Sequence, residues 1–136
     1  MDITISSWIE SETLSKQIRE GKPVSQKFFW TLDNMERIHI RSSKTSKIFS
    51  REDYEAMISH VYSYKTGVPL GSRRDGTVPT DSLGALMEKR HNTLSIRGWC
   101  SHLAAIAVQK GDVTFLDKGR GPGKGIWLYP KEADVQ

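Results

Sequence analysis

Gly119, Arg120, Gly121, Pro122, Gly123, Lys124 and Gly125 form an unbroken run between two apolar stretches, residues 113–116 and 126–129. Glycine readily takes positive φ, and proline has no backbone N–H to give to a ladder. Neither a helix nor a central strand passes through such a run, and the stretches on both sides are β-like in composition. The pattern predicts a hairpin with a long tip. Lys118, Arg120 and Lys124 make that tip cationic, with no carboxylate inside it. A basic, glycine-rich finger suits a phosphate backbone. The other reading is a solvated loop kept soluble by its charges.

The distribution of charge bears on this choice. Residues 1–64 carry nine Lys/Arg against nine Asp/Glu, whereas residues 65–131 carry eleven against five. The net charge of +4 therefore belongs to the half that holds the hairpin. Clustered basic charge is an electrostatic footprint for nucleic acid, although other polyanions answer to it too. With 136 residues, 37% hydrophobic and 26% charged, the chain can bury a core as one domain with a small N-terminal extension. No apolar run reaches the length of a membrane span, and the N-terminus lacks the pattern of a signal peptide. The single cysteine, Cys100, cannot form an internal disulfide. These features point to an intracellular protein, cytoplasmic or nuclear, with no membrane partner.

The predicted organisation has three parts: an N-terminal helix and β-hairpin over 1–49, a helical and hairpin half over 50–131, and a polar tail over 132–136. Ser7 with Glu10 has capping-box spacing and Gly21 with Pro23 supplies a stop, so residues 7–20 are expected to be helical. Strands are expected at 27–32 and 35–41, with a short third at 47–49. Arg37, His39 and Arg41 alternate with Ile38 and Ile40. With Phe28 and Trp30 nearby, this cationic face is a possible stacking platform for single strands; an ordinary two-faced sheet is the plainer alternative. Ser50 and Asp53 open a helix whose stripe is Tyr54, Met57, Ile58, Val61 and Tyr62, and Gly67 and Pro69 end it. Residues 67–80, with Arg73 and Arg74, read as a cationic loop. A second helix is expected at 81–91 and a third at 96–110, with Gly111 as its stop.

The order from residue 50 onward is helix, loop, helix, four-residue turn, helix, strand, basic loop, strand. Two helices joined by a short turn describe a helix-turn-helix. With the following basic hairpin, this half resembles the winged-helix DNA-binding domains over about 80 residues. The resemblance implies an α+β fold and a regulator or targeting subunit that binds duplex DNA. It also implies roles for residues. Ser95, Arg97 and Ser101, with His102, stand at the start of the third helix. Thr93 joins the helix-start amides on phosphate. Lys118, Arg120 and Lys124 form the wing, with Arg73 and Arg74 in the preceding loop. Beyond Arg97 the third helix offers mostly Ala and Val, so shape-guided or weakly specific binding is expected in preference to base readout. An adaptor that binds protein through the same scaffold and an RNA-binding protein are the alternatives.

Enzymatic chemistry finds little support in the residues. Lys118 stands where a Walker A loop needs its first glycine, and Gly125 where it needs Ser or Thr. The four histidines are far apart and lack paired-ligand spacing. Cys100 and His102, two apart on a helix, point away from each other. Pro79, Thr80 and Asp81 with Glu88 and Lys89 lack the acidic-x-Lys triplet of metal-dependent nucleases. No catalytic residue, cofactor or metal is expected.

Overall fold

The computed structural model describes residues 7–15, 18–73, 76–121 and 123–131. It is a mixed α+β fold. A four-stranded antiparallel sheet has the order β1 (Ile9–Glu12), β4 (Lys27–Leu32), β5 (Ile38–Arg41), β6 (Ser46–Phe49). A small hairpin, β2 (Ile18–Arg19) with β3 (Lys22–Pro23), interrupts it in the chain. Period-two alternation sends Phe28, Trp30, Ile38, Ile40 and Phe49 to the buried face. The β4–β5 connection is fixed by Asp33. Its carboxylate accepts from the Met35 and Arg37 amides at 2.8 and 3.0 Å and from the Arg37 guanidinium at 2.8 Å. His39 Nε2 lies 2.7 Å from the same carboxylate.

One sequence expectation fails in this half. Residues 9–12, expected within a helix, form β1 and pair with β4, Ile9 opposite Trp30 and Glu12 opposite Lys27. The sparse apolar positions there offer no stripe to bury, whereas pairing with β4 satisfies the backbone. Of the two readings of the sheet, the structure bears out the plainer one, an ordinary two-faced sheet, and not the stacking platform. Phe28 and Trp30 face the core, opposite His39 and Arg41, and Arg37 and His39 are held by Asp33. Arg41 instead lies across from Phe29 and stacks 4.7 Å from the ring centre of Trp8.

The rest of the chain supplies α1 (Arg51–Ser63), β7 (Val68–Pro69), α2 (Leu83–His91), a 3-10 turn (Leu94–Trp99), α3 (Cys100–Gln109), β8 (Val113–Asp117) and β9 (Ile126–Pro130). The Ser50–Asp53 capping box forms in both directions, and Tyr54, Met57 and Val61 are buried as the stripe requires. Asp53 does more than cap. It accepts from Arg90 Nε at 3.0 Å and faces His91 Nε2 at 3.1 Å, which ties the start of α1 to the end of α2. Ser82 caps α2, and Asn92 closes it with φ 54°. β8 and β9 form the expected hairpin, and β7 pairs with β9 to give the order β7-β9-β8. A two-residue strand ending in proline carries no periodicity, so β7 was invisible in the sequence.

Close backbone approach fixes the loop after β7. Gly84 N donates to Leu70 O at 2.9 Å. A Cβ on Gly84 would stand 1.8 Å from Gly71 O, so only glycine fits there.

Helix α3 is the centre of the molecule. His102 through Ala107 are all buried, together with Cys100. The four-stranded sheet reaches it from the N-terminal half: Trp30 Nε1 donates to Gln109 Oε1 at 2.9 Å, and Gln109 Nε2 donates to Glu10 O at 3.3 Å. Phe28 meets His102 edge-on at 4.9 Å. One apolar cluster therefore runs from Phe28 to Leu128, continuous across positions 49 and 50.

Candidate functional site

The loop between β8 and β9 is ordered by its own hydrogen bonds. Lys118 N donates to Gly125 O and Gly125 N to Gly119 O, each at 2.8 Å, and Lys124 N donates to Gly121 O at 3.1 Å. Gly119, Gly121, Gly123 and Gly125 all have positive φ, between 73 and 116°, which explains why this tip is built from glycine. Trp127 Nε1 donates to Gly123 O at 3.1 Å, so the loop is pinned to its own strand.

This tip faces the loop that follows β7, and a cleft of about 680 Å³ lies between them. Ser72, Arg73 and Thr77 line it from the loop after β7, and Gly121 and Lys124 line it from the tip. Ser101, His102 and Trp127 also line it, as do Thr13, Leu14, Ser15, Val24 and Gln26 from the N-terminal half. The described lining contains Arg73 and Lys124 and no aspartate or glutamate. Such a lining favours an anion, with hydroxyl and amide groups to bond it and apolar surface beside them.

Of the residues singled out in the sequence, Arg73, Ser101, His102 and Lys124 are among those that line this cleft. Arg74 lies outside the described residues, as does the tail 132–136. Thr93 and Ser95 are exposed but turned to local work. Thr93 Oγ1 accepts from Ser95 N at 3.4 Å and lies 3.1 Å from Ser95 Oγ. Thr93 borders a separate depression beside Lys89 and Glu88. Lys118 sits 4.0 Å over the Trp127 ring. Arg120 Nη2 donates to Ile18 O at 3.1 Å, joining the tip to the β2–β3 hairpin.

Arg97 requires the main correction. Expected as an exposed cation at the start of a recognition helix, it is only 6% exposed. Its Nε donates to Glu88 Oε1 at 2.7 Å, and its Nη1 donates to Gly76 O at 2.9 Å and to Arg73 O at 3.4 Å. The cause is local winding. The chain leaves the Thr93 cap as a 3-10 turn, and this turn packs against α2 and points residue 97 inward. His102 is corrected in the same way. It is buried between the rings of Phe28 and Trp99, at 4.9 and 5.0 Å. The helix that would enter a major groove is thus covered along its length by β1 and β4 on one side and by the C-terminal half on the other.

The polar cleft residues contributed by the N-terminal half, Thr13, Ser15 and Gln26, carried no sequence signal, because they reach the cleft only once β1 has paired with β4. Nucleophilic chemistry finds no footing at Cys100, whose thiol burial pushes up to about 12. Among the described residues, no cluster of three His, Cys, Asp or Glu could hold a metal ion. No helix among them is long and apolar enough to cross a membrane. No known protein family, curated protein or solved structure matches this chain.

Proposed function

We propose that this is a nucleic-acid-binding protein with a winged-helix-like C-terminal half, which holds phosphate backbone in the cleft between the β8–β9 tip and the loop after β7. The observation that carries the reading is the lining of that cleft, to which two different loops contribute Arg73 and Lys124, with no described carboxylate among its lining residues. The order α1, β7, α2, 3-10 turn and α3, then β8 and β9 with their basic tip, supports the winged-helix comparison. The mode of contact departs from that family's helix insertion. Arg97 is buried and α3 is covered, so contacts to phosphate and sugar replace readout by the third helix.

A salt series tests this. If the basic half makes about four to six phosphate contacts, log affinity falls with log salt at a slope of about −4 to −5 on duplex, or about −3 to −4 on a single strand. Replacing Arg73 and Lys124 by alanine makes either slope shallower by between about 1.4 and 2. Absence of binding to any nucleic acid at low salt removes the proposal and leaves a protein-binding adaptor in its place.

A further inference from the structure

Resting on the nucleic-acid reading above, we infer that the cleft is built to take a single strand, passing between Arg73 and Lys124 with its bases turned inward, and not to lie along a duplex. The argument begins with shape. The loop after β7, the β8–β9 tip and the segments around Thr13 and Gln26 all contribute residues to the lining of the cleft. The Arg120–Ile18 hydrogen bond links the tip to the β2–β3 hairpin beside it. A volume of about 680 Å³ falls within the range of about 300–1,000 Å³ that holds a compact small-molecule ligand. That is room for an unstacked nucleotide or two and not for the cylinder of a double helix.

The lining adds a chemical argument. A duplex presents phosphates outward and hides the faces of its bases. Contact with it calls for cations and amides, and apolar surface in the lining would go unused. This cleft has Leu14, Val24 and Trp127 among its lining residues, next to Gln26, Ser72 and Thr77. Apolar and aromatic surface for base faces, amide and hydroxyl groups for base edges, and cations for the backbone are what unstacked strands require. A third observation removes the competing geometry. A major groove about 12 Å wide accepts a helix with a free face, and among the residues of α3 only Gln109 is exposed, with its amide already bonded to Glu10 and Trp30.

The test uses the whole chain and labelled oligomers of about twelve residues, a length within reach of single-strand binding sites: oligo-dT, oligo-rU and a mixed-sequence duplex. The expected result by fluorescence anisotropy is affinity for single strands at least about tenfold above that for duplex. The dT and rU arms report whether DNA or RNA is preferred. Ser101→Trp places a large ring on the cleft lining and lowers single-strand affinity about tenfold or more. Lys124→Glu, on an exposed tip where folding is not at stake, lowers it as well. Circular dichroism confirms that each variant is folded. Duplex bound as tightly as single strands, or folded Ser101→Trp and Lys124→Glu proteins binding single strands like the native chain, overturns the inference and leaves the nucleic-acid reading standing. Binding to none of the three oligomers removes both.

Discussion

Replacing Arg97 by alanine separates a structural arginine from a base-reading one. The side chain is 7% exposed and that of its partner Glu88 is 35% exposed. Breaking a fully buried pair costs about 3–5 kcal/mol, and breaking an exposed one about 0–1. Glu88 can regain water, which places the pair toward the lower part of that span. The Arg73 and Gly76 carbonyls belong to an exposed loop and are rehydrated at little cost. Losing the buried methylene stem removes up to about 2 kcal/mol of apolar burial. The sum is a destabilisation of about 2–4 kcal/mol. At this chain length that lowers Tm by roughly 6–16 °C. Urea unfolding followed by tryptophan fluorescence measures it, and a cycle with Glu88→Ala isolates the pair. Among a panel of duplexes the variant keeps the native order of preference, because the side chain reaches no base. A loss below about 0.5 kcal/mol, or altered preference at one base position, refutes the burial of Arg97.

Other outcomes follow from the same structure. Gly84→Ala drives a methyl group against Gly71 O and costs about 2 kcal/mol or more in chemical denaturation; a loss below about 0.5 kcal/mol means that α2 does not start against this loop. Cys100, fully buried with its thiol pushed up to about 12, stays unreactive toward a thiol reagent near neutral pH until the protein unfolds; rapid labelling of native protein contradicts its burial. Acid stability is set in part by Asp33. Burial pushes its carboxyl up, but hydrogen bonds from His39, from the Arg37 and Met35 amides and from the Arg37 guanidinium outweigh this and hold it below the usual value of 3.8. A lowered folded-state value means that the contribution is complete above the unfolded value and is lost as pH falls below about 4. The native protein therefore loses stability more steeply from pH 5 to pH 2 than Asp33→Asn does, and identical profiles would count against the Asp33 network.

How much was legible in the sequence depended on whether the determining contacts were local. The start of α1 is written in Ser50 and Asp53, two residues three positions apart that bond each other, and its stripe repeats often enough to fix the buried face. The β8–β9 hairpin follows from glycines whose positive φ no other residue adopts as readily. The N-terminal segment shows the opposite case. Ser7 and Glu10 imitate a helix start, but Ile9 to Glu12 are decided by pairing with β4, about twenty residues away. Arg97 shows a finer limit. Its charge is visible, yet its direction depends on a 3-10 turn replacing the first turns of an α-helix, a difference of geometry that composition does not encode. The cleft was half legible. Arg73 and Lys124 announced themselves as cations in glycine-rich loops, whereas Thr13, Ser15 and Gln26 joined them only through long-range strand pairing.

Amide chemical-shift mapping tests the cleft most directly. Nitrogen-15-labelled protein would be titrated with a short oligo-dT, and separately with oligo-rU, at low and then at raised salt. The account predicts shifts gathered at Ser72, Arg73, Ser101, Lys124 and Trp127, receding as salt rises, with α1 and the outer face around Phe29 and Ile48 unchanged. Shifts centred on Thr93 to Ser95 or on that outer face, with the cleft residues silent, would contradict it.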